Sequence, residues 1–290
     1  MTADLRATLV DASRRAGVDA SGAMPLRQHA SSVFLLPACH MVARLRSGSE
    51  ATDGAHRAIE VTRWLADQGV GVTEPADVEQ PQVVGPYVVT FWNFYEQGDR
   101  RPPAAVELGR ILRLLHATPP PPMTLPTFAP LRGFDRLVTE STVLTKSERD
   151  WLHDRRLTLL DQCEHLDWVL EHGHIHGDAY PGNLLWRGDV VVLGDWDDTA
   201  IGPRELDLAN TYQGARFGRT RVELDSFAAA YGTDLSGWPG LDVLIAIRDL
   251  HTLGTFIRRA TAGSDAAGLE LSHRVQTLRA DDRTAAWTAT

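Results

Sequence analysis

The sequence predicts an α+β fold, with a small N-terminal β-sheet part that carries one main helix and a larger, mostly helical C-terminal part. Short runs rich in β-branched and aromatic residues crowd the first hundred positions, whereas apolar residues at helical spacing dominate from Ala104 onward. The polar segment EQGDRRPP, Glu96 to Pro103, separates the two patterns. We expect a hinge there, between an N-terminal lobe, residues 1–95, and a C-terminal lobe, residues 96–290.

The N-terminal elements follow from local patterns. The first twenty residues read as a charged amphipathic helix. SSVFLLP (Ser31 to Pro37) and MVARL (Met41 to Leu45) predict an antiparallel hairpin. A helix follows from Asp53 to Gln68, with its apolar residues on one face and Gly69 as its stop. QVVGPYVVTFW predicts two further strands around Gly85 and Pro86.

The C-terminal elements are mainly helices. LGRILRLLH carries a helical pattern, and the Pro-rich ATPPPPMTLPTFAP after it predicts an extended surface connection. The next helix should run from about Ser147 to about Cys163, with Ser147 as its N-cap. LLW and VVVL predict a hairpin with a tight turn at Arg187-Gly188-Asp189. From about Glu205 the pattern predicts helices with breaks at three positions: Gly232, Pro239 and Gly263.

Composition and charge indicate which classes of binding partner and which compartment to expect. The formal charge of -9 argues against nucleic-acid binding, which needs a basic face, and is compatible with a cationic small molecule. There is no apolar window of membrane-spanning length and no secretory signal pattern. Cys39 and Cys163 are too few for a disulfide framework, so we expect a cytoplasmic protein. The oligomeric state is not indicated.

The stretch HGHIHGDAYPGN allows two kinds of site. His172, His174, His176 and Asp178 alternate, and alternating residues of a strand share one face, as zinc ligands would need. However, Ala179 stands where the HxHxDH pattern of metallo-hydrolases needs its last histidine, and the remaining histidines are scattered. The zinc hypothesis is therefore the weaker one.

The second hypothesis uses more of the stretch. His176, Asp178 and Asn183 have the HxDxxxxN spacing of a kinase-type catalytic loop, in which the Asp accepts a hydroxyl proton and the Asn binds a metal ion. The hairpin that follows returns the chain, so that Asp195 in GDWDD can bind Mg²⁺ together with Asn183. Loop, hairpin and aspartate occur in the order that this chemistry requires.

These motifs resemble the aminoglycoside phosphotransferase and choline kinase family of small-molecule kinases. HGDAYPGNLLW is similar to its HGDxxPGNxL loop, GDWDDTAIGPRELDLA to its hDWExAxxGxPxxDLA segment, and LGRILRLLH to its LxxLH helix. The resemblance extends from about Ser31 to about Ala209. It implies a two-lobed protein-kinase-like fold and the use of ATP, with GTP as the alternative, and Mg²⁺.

The resemblance also implies roles for individual residues. Asp178 would be the catalytic base or the carboxylate that orients the acceptor hydroxyl, and Asn183 and Asp195 would bind Mg²⁺. Arg44 occupies the position of the phosphate-contacting basic residue, and Glu60 in the next helix would pair with it. The alternative for Glu60 is a surface pair with another arginine of its helix.

Further nucleotide contacts are expected in the N-terminal part. Ser31 and Ser32 fall where the small lobe would cover the phosphates, although no Gly-rich loop is present. TFWNF would form the strand edge that meets the purine, with Thr90, Trp92 and Phe94 as contacts. Trp92 and Phe94 fit a core role equally well.

The expected reaction is transfer of the γ-phosphate of ATP to a hydroxyl of a small molecule, in first place an aminoglycoside or another cationic antibiotic. The alternatives are a choline-like alcohol, an amino-alcohol, a sugar or a macrolide, or a non-catalytic nucleotide-binding module of the same fold. Five acidic residues of the C-terminal part are candidate contacts for ammonium groups: Glu223, Asp225, Asp234, Asp242 and Asp249.

Overall fold

The computed structural model describes residues 3–28, 32–48 and 51–288. The chain forms two compact units. The sheet unit comprises Met1–Pro103, Ile111–Pro126 and His176–Ala200, and the helical unit comprises Ala104–Arg110, Thr127–Ile175 and Ile201–Thr290. Within the described ranges, every helix is too short or too polar to cross a membrane.

The sheet unit is built on a five-stranded antiparallel sheet with the strand order β1-β2-β3-β5-β4. The predicted hairpin forms β2 and β3, and QVVGPYVVTFW forms β4 and β5. The first strand, MPLRQ, was not predicted, because Pro25 and two polar residues hide its pattern at the edge of the sheet. The strands are β1 (Met24–Gln28), β2 (Ser32–Leu36), β3 (Met41–Ser47), β4 (Gln82–Val84) and β5 (Tyr87–Asn93).

The two faces of this sheet differ in chemistry because successive side chains of a strand alternate. One face packs against α1 (Ala3–Arg15) and is apolar. Each fully buried Leu or Phe of such a core stabilises the fold by about 1.5–3 kcal/mol. The core includes Leu9, Phe34, Leu36, Ala43, Leu45 and Phe91.

The other face carries both polar and apolar side chains and borders α2 (Ala51–Asp67), where Val88 packs with Ala51 and Ala55. Arg44 and Thr90 are directly opposite each other on β3 and β5, so their side chains point to this same face. A small cavity between the sheet and α2 is lined by Arg44, Arg46, Thr90 and Trp92. The sheet therefore presents two arginines to one side and its core to the other.

A second hairpin completes the sheet unit. Its strands are β7 (Leu184–Arg187) and β8 (Val190–Leu193), joined at Gly188, whose φ of 58° suits the first loop position of a type II′ turn. The segment after α2 adds to this hairpin: Leu193 N–H donates to Gly71 O at 2.9 Å, and Thr73 N–H donates to Leu193 O at 3.0 Å. The hairpin is thus hydrogen-bonded to the chain that follows α2.

The helical unit contains most of the remaining elements. Its strands β6 (His172–Ile175) and β9 (Ala200–Pro203) pair with each other, while α3 (Ala105–His116) is divided between the units. The other helices are α4 (Phe134–Thr139), α5 (Lys146–Glu164), α6 (Glu205–Tyr212), α7 (Arg221–Tyr231), α8 (Gly240–Thr261) and α9 (Asp265–Arg279). The antiparallel sheet followed by helices confirms the predicted α+β class.

The N-cap predicted for α5 was wrong. The helix begins at Lys146, directly after Thr145, and Thr145 rather than Ser147 caps it. Thr145 and Glu148 form a reciprocal capping box, in which each side chain accepts a hydrogen bond from the other's backbone N–H. Ser147 lies inside the helix, where it cannot fill that role.

Candidate active site

The β7–β8 hairpin brings Asn183 and Asp195 together. Leu184 and Leu193 are paired, and Gly194 N–H donates to Asn183 O at 2.9 Å, so the residues on either side of the hairpin base are neighbours. The Asn183 amide nitrogen donates to Asp178 O at 3.0 Å. This bond fixes which end of the amide is the nitrogen and leaves its oxygen as the atom suited to a metal ion.

His176 braces this arrangement. Its Nε2 donates to Gly194 O at 2.9 Å, and its Nδ1 accepts from Asp178 N–H at 3.2 Å, which assigns the neutral Nε2–H tautomer. The ring also lies 4.5 Å from that of Trp196. Both nitrogens are therefore engaged, which disfavours zinc ligation by His176. Among the described residues, no group of three or more His, Cys, Asp or Glu side chains is arranged to hold a metal ion.

Gly177 lets the loop that carries Asp178 approach the segment from Asp195 to Asp198 closely. Its φ is 84°, and a Cβ built on it would lie 2.2 Å from Asp198 O. The approach brings Asp178 close to Asp198. Burial, followed by the negative charges of Asp178 and Asp195, raises the pKa of Asp198. Asp198 therefore lies in the electrostatic field of two other carboxylates.

Arg44 is the cation that meets these acids. Its Nη2 lies 2.8 Å from Asp195 Oδ1 and 2.6 Å from Asp197 Oδ2, and Arg46 forms a further ion pair with Asp197. Burial lowers the pKa of Arg44, but the charges of Asp197 and Asp195 outweigh it and raise that pKa. Burial opposes ionisation of Asp195, yet the charge of Arg44 keeps the pKa of this carboxyl below its ordinary value.

The backbone of Asp195 is strained. Its φ of 66° lies in the left-handed region, which costs a non-glycine residue roughly 1–2 kcal/mol, less for Asp than for most. Such strain persists where the surroundings over-determine a geometry, and here the surroundings are Arg44 and the hairpin base. The conformation aims the carboxylate at Arg44.

The structure pairs Arg44 with acids other than the predicted Glu60. Arg44 forms ion pairs with Asp195 and Asp197, whereas Glu60 is exposed on α2. The reason is helical phase, because Ile59 faces the interior and the next residue is rotated by about 100° from it.

The serine predictions have two outcomes. Ser31 lies outside the described residues. Ser32 begins β2 directly opposite Leu45, whose side chain belongs to the α1 core. Opposite residues of an antiparallel pair share a face, so the side chain of Ser32 points away from the face that carries Arg44. The sequence pattern did not reveal this register.

Thr90 and Trp92 lie in β5, and Phe94 directly follows this strand. Thr90 and Trp92 lie on the arginine face, and Trp92 Nε1 donates to Thr90 Oγ1 at 2.8 Å. Most backbone groups of the segment are already hydrogen-bonded within the sheet unit. The partners are Gln80 Oε1 for Phe91 N–H, Ala76 N–H for Phe91 O, Glu74 O for Asn93 N–H and His40 O for Phe94 N–H.

The residues present fit a magnesium-bound nucleotide. An amide oxygen and carboxylate oxygens are the donors that Mg²⁺ prefers, and Asn183 and Asp195 supply them side by side. Guanidinium groups are strong phosphate donors, and Arg44 stands next to Asp195. The acid cluster with Asp178 and Asp198 supplies the negative charge that a divalent cation would neutralise.

The five acids expected to bind ammonium groups all have partners inside the helical unit. Each one is hydrogen-bonded or ion-paired to a residue of that unit. Glu223 is bonded to Thr220, Asp225 to Arg221, Asp234 to Tyr212 and Ser236, Asp242 to Arg283, and Asp249 to Gln213 and Arg216.

Sequence reasoning identified neither Arg46 nor the ion pairs of Asp197. The alternation Arg44-x-Arg46 in a strand was the available signal, since it places both arginines on one face. Their common partner was not visible, because Asp197 lies 151 and 153 residues away.

Known proteins resemble this chain in sequence and in fold. A model of the phosphotransferase enzyme family matches residues 24–244. The serine/threonine protein kinase RdoA of Salmonella typhimurium is 30% identical over 110 residues, which cover 37% of this chain and 32% of that protein. The chain thus spans about a third of the length of the curated relatives that it matches.

Two solved structures share the fold. The amicoumacin kinase hAmiN, in complex with AMP-PNP, Ca²⁺ and Ami, has a TM-score of 0.73 at 12% identity, with 99% of this chain and 98% of that chain covered. Spectinomycin phosphotransferase APH(9)-Ia, in complex with ADP and spectinomycin, has a TM-score of 0.65 at 16% identity, with 92% of each chain covered. The predicted protein-kinase-like fold is confirmed. Because the family model matches well over half of its length, the chain belongs to the phosphotransferase enzyme family.

Proposed function

We propose that this protein transfers the γ-phosphate of ATP to a hydroxyl of a small molecule. The observation that carries the proposal is the convergence of Asp178, Asn183, Asp195 and Arg44 in one unit of the fold. A carboxylate for the acceptor hydroxyl, two oxygen ligands for a metal and a cation for phosphate are the parts that phosphoryl transfer needs.

Each residue has a separate task in the proposed reaction. Asp178 orients the acceptor hydroxyl and receives its proton as the oxygen attacks phosphorus in line. Asn183 and Asp195 hold Mg²⁺, which when bound neutralises phosphate charge. Arg44 contacts the phosphates, and His176 keeps Asp178 and Gly194 in register. Positioning and charge neutralisation supply most of the rate enhancement, without a covalent enzyme intermediate.

We propose an aminoglycoside or another cationic antibiotic as the acceptor class. The net charge of -9 supports a cationic partner, and the amicoumacin and spectinomycin enzymes are relatives in fold that act on antibiotics. The free thiols of Cys39 and Cys163 support a reducing compartment such as the cytoplasm. Choline-like alcohols, other amino-alcohols, sugars and macrolides stay in the panel of acceptors to be tested.

The test measures ADP formation with Mg²⁺ and ATP across that panel, for the wild type and for Asp178→Asn. We expect one acceptor class to stimulate ADP formation, and Asp178→Asn to lower the rate by about 10²–10⁴-fold while Mg-ADP still binds. A wild type that binds ATP but phosphorylates no acceptor would instead be the non-catalytic module. Substituting GTP for ATP in the same assay decides the nucleotide.

A protein hydroxyl is the second candidate acceptor. The likeness to a protein named as a serine/threonine protein kinase favours it, over the 110 residues that match. Transfer of labelled phosphate to a serine-rich protein, in the absence of any small acceptor, would identify this activity. Labelling that persists in Asp178→Asn would point to a contaminating kinase.

A further inference from the structure

Two arginines of β3 share one buried carboxylate. Arg44 and Arg46 are two residues apart in a strand, so their Cα atoms lie about 7 Å apart and their side chains project to the same face. Asp197 accepts from both, and its side chain is only 11% exposed. Arg57 approaches the same residue, with its Nη2 3.5 Å from Asp197 O.

This surrounding is unsuited to a metal ligand. A divalent cation bound to Asp197 would lie among guanidinium groups, which repel it. Asp195 is paired with Arg44 but adjoins Asn183 at the hairpin base, whereas Asp197 is paired with both Arg44 and Arg46. Asp198 lies in the field of the carboxylates. The carboxylate of Asp197 is therefore suited to hold the arginines and not the metal.

The charges of the group are balanced until a metal binds. Arg44 and Arg46 face Asp195 and Asp197, which offset them. Once Asp195 ligates Mg²⁺, the group carries an excess of positive charge that a polyphosphate would neutralise. Arg46 is 40% exposed and Arg44 is 19% exposed, so Arg46 is the more accessible of the two.

We propose that Arg46 is a second phosphate-binding residue of the nucleotide site, and that Asp197 is a positioning residue that holds Arg44 and Arg46 in place for it. The inference rests on the proposed function, because it assumes a nucleotide on this face of the sheet. Arg46 and Asp197 thus belong to phosphate binding, and Asn183 and Asp195 belong to metal binding.

The test is isothermal titration of the full chain with ADP, with AMP-PNP and with adenosine, at high Mg²⁺ and in EDTA. The variants are Arg46→Gln, Arg46→Lys and Asp197→Asn, with Arg63→Gln as the matched control, since Arg63 is exposed on α2. Circular dichroism verifies the fold of each. We expect Arg46→Gln to weaken ADP and AMP-PNP by about ten- to a hundredfold, with adenosine unchanged and Arg46→Lys in between.

Asp197→Asn distinguishes an acid that positions the arginines from an acid that binds the metal. We expect it to weaken ADP in EDTA as well as in Mg²⁺, while the midpoint of a Mg²⁺ titration at saturating ADP stays the same. A shifted Mg²⁺ midpoint with unchanged ADP affinity in EDTA would make Asp197 a metal ligand and overturn the proposal. Wild-type affinity in Arg46→Gln would overturn the role of Arg46 alone, whereas a wild type that binds no nucleotide would overturn the proposed function as well.

Discussion

Replacing Gly177 with alanine should damage the fold and the site together. Gly177 has a φ of 84°, and its added Cβ would lie 2.2 Å from Asp198 O, 2.9 Å from Asp198 C and 3.2 Å from Asp198 Cβ. The overlap with the oxygen is about 1 Å, since carbon and carbonyl oxygen approach comfortably to about 3.3 Å. The clash with backbone cannot be relieved by turning a side chain.

The matched control is Gly188→Ala. Gly188 also has a positive φ, 58°, but a Cβ there meets nothing within 4 Å. Both variants carry the left-handed penalty of about 1–2 kcal/mol, offset in part by the lower entropy of the unfolded chain, about 0.4–1 kcal/mol. These contributions largely cancel in the comparison. The difference between the variants is therefore the clash alone, about 1–3 kcal/mol.

The assay is urea unfolding monitored by far-UV circular dichroism, together with titration of Mg-ADP. We expect Gly188→Ala to unfold with a loss of about 1 kcal/mol and to bind Mg-ADP as the wild type does. Gly177→Ala should lose about 2–4 kcal/mol and bind Mg-ADP more weakly, since the shift displaces Asp198 and the neighbouring Asp195. Equal losses of unfolding free energy in the two variants would refute the close approach of the loop to Asp198.

Three further predictions concern other parts of the chain. Asp195→Gly should be about 1 kcal/mol more stable to urea than Asp195→Ala, because glycine tolerates the φ of 66°. Both variants should lose Mg²⁺-dependent ADP binding. Equal stabilities would contradict the backbone strain at Asp195. Burial raises the pKa of Asp249 to about 6 despite its ion pair with Arg216, so its ionisation should cost about 3 kcal/mol of stability as pH rises from about 4 to 6. The unfolding free energy of the wild type should fall across that pH range, and that of Asp249→Asn should not. If both proteins show the same pH dependence, Asp249 is not its source. Thr145→Ala should lower the unfolding free energy by about 1 kcal/mol and Ser147→Ala by much less. A larger loss in Ser147→Ala would instead support Ser147 as the N-cap, as the sequence predicted.

Much of the sheet unit was predictable because its signals are local. The runs that became β2, β3, β5, β7 and β8 alternate or are β-branched, and the turn at Gly188 follows from its backbone freedom. The spacing of Asp178, Asn183 and Asp195 predicted their meeting, because a hairpin of fixed length returns the chain to its start.

The failures share a physical cause, which is tertiary contact. The partners of Arg44 depend on how the Asp195–Asp198 turn reaches β3, across more than 150 positions of sequence, and no local pattern encodes that. Glu60 has the right distance along the chain but the wrong helical phase. Ser32 was placed by its position in the sequence, while the register with Leu45 decided its face.

The sheet unit is discontinuous along the chain, and this limits how the protein can be cut or recombined. Residues 176–200 belong to the same unit as β3, and β8 is hydrogen-bonded to the segment that follows α2. A fragment that ends at Glu96 would keep Arg44 but lack Asp195 and Asp197, and would leave two arginines without their counter-ions. Chimeras between relatives should therefore take the N-terminal segment and the β7–β8 hairpin from the same parent protein.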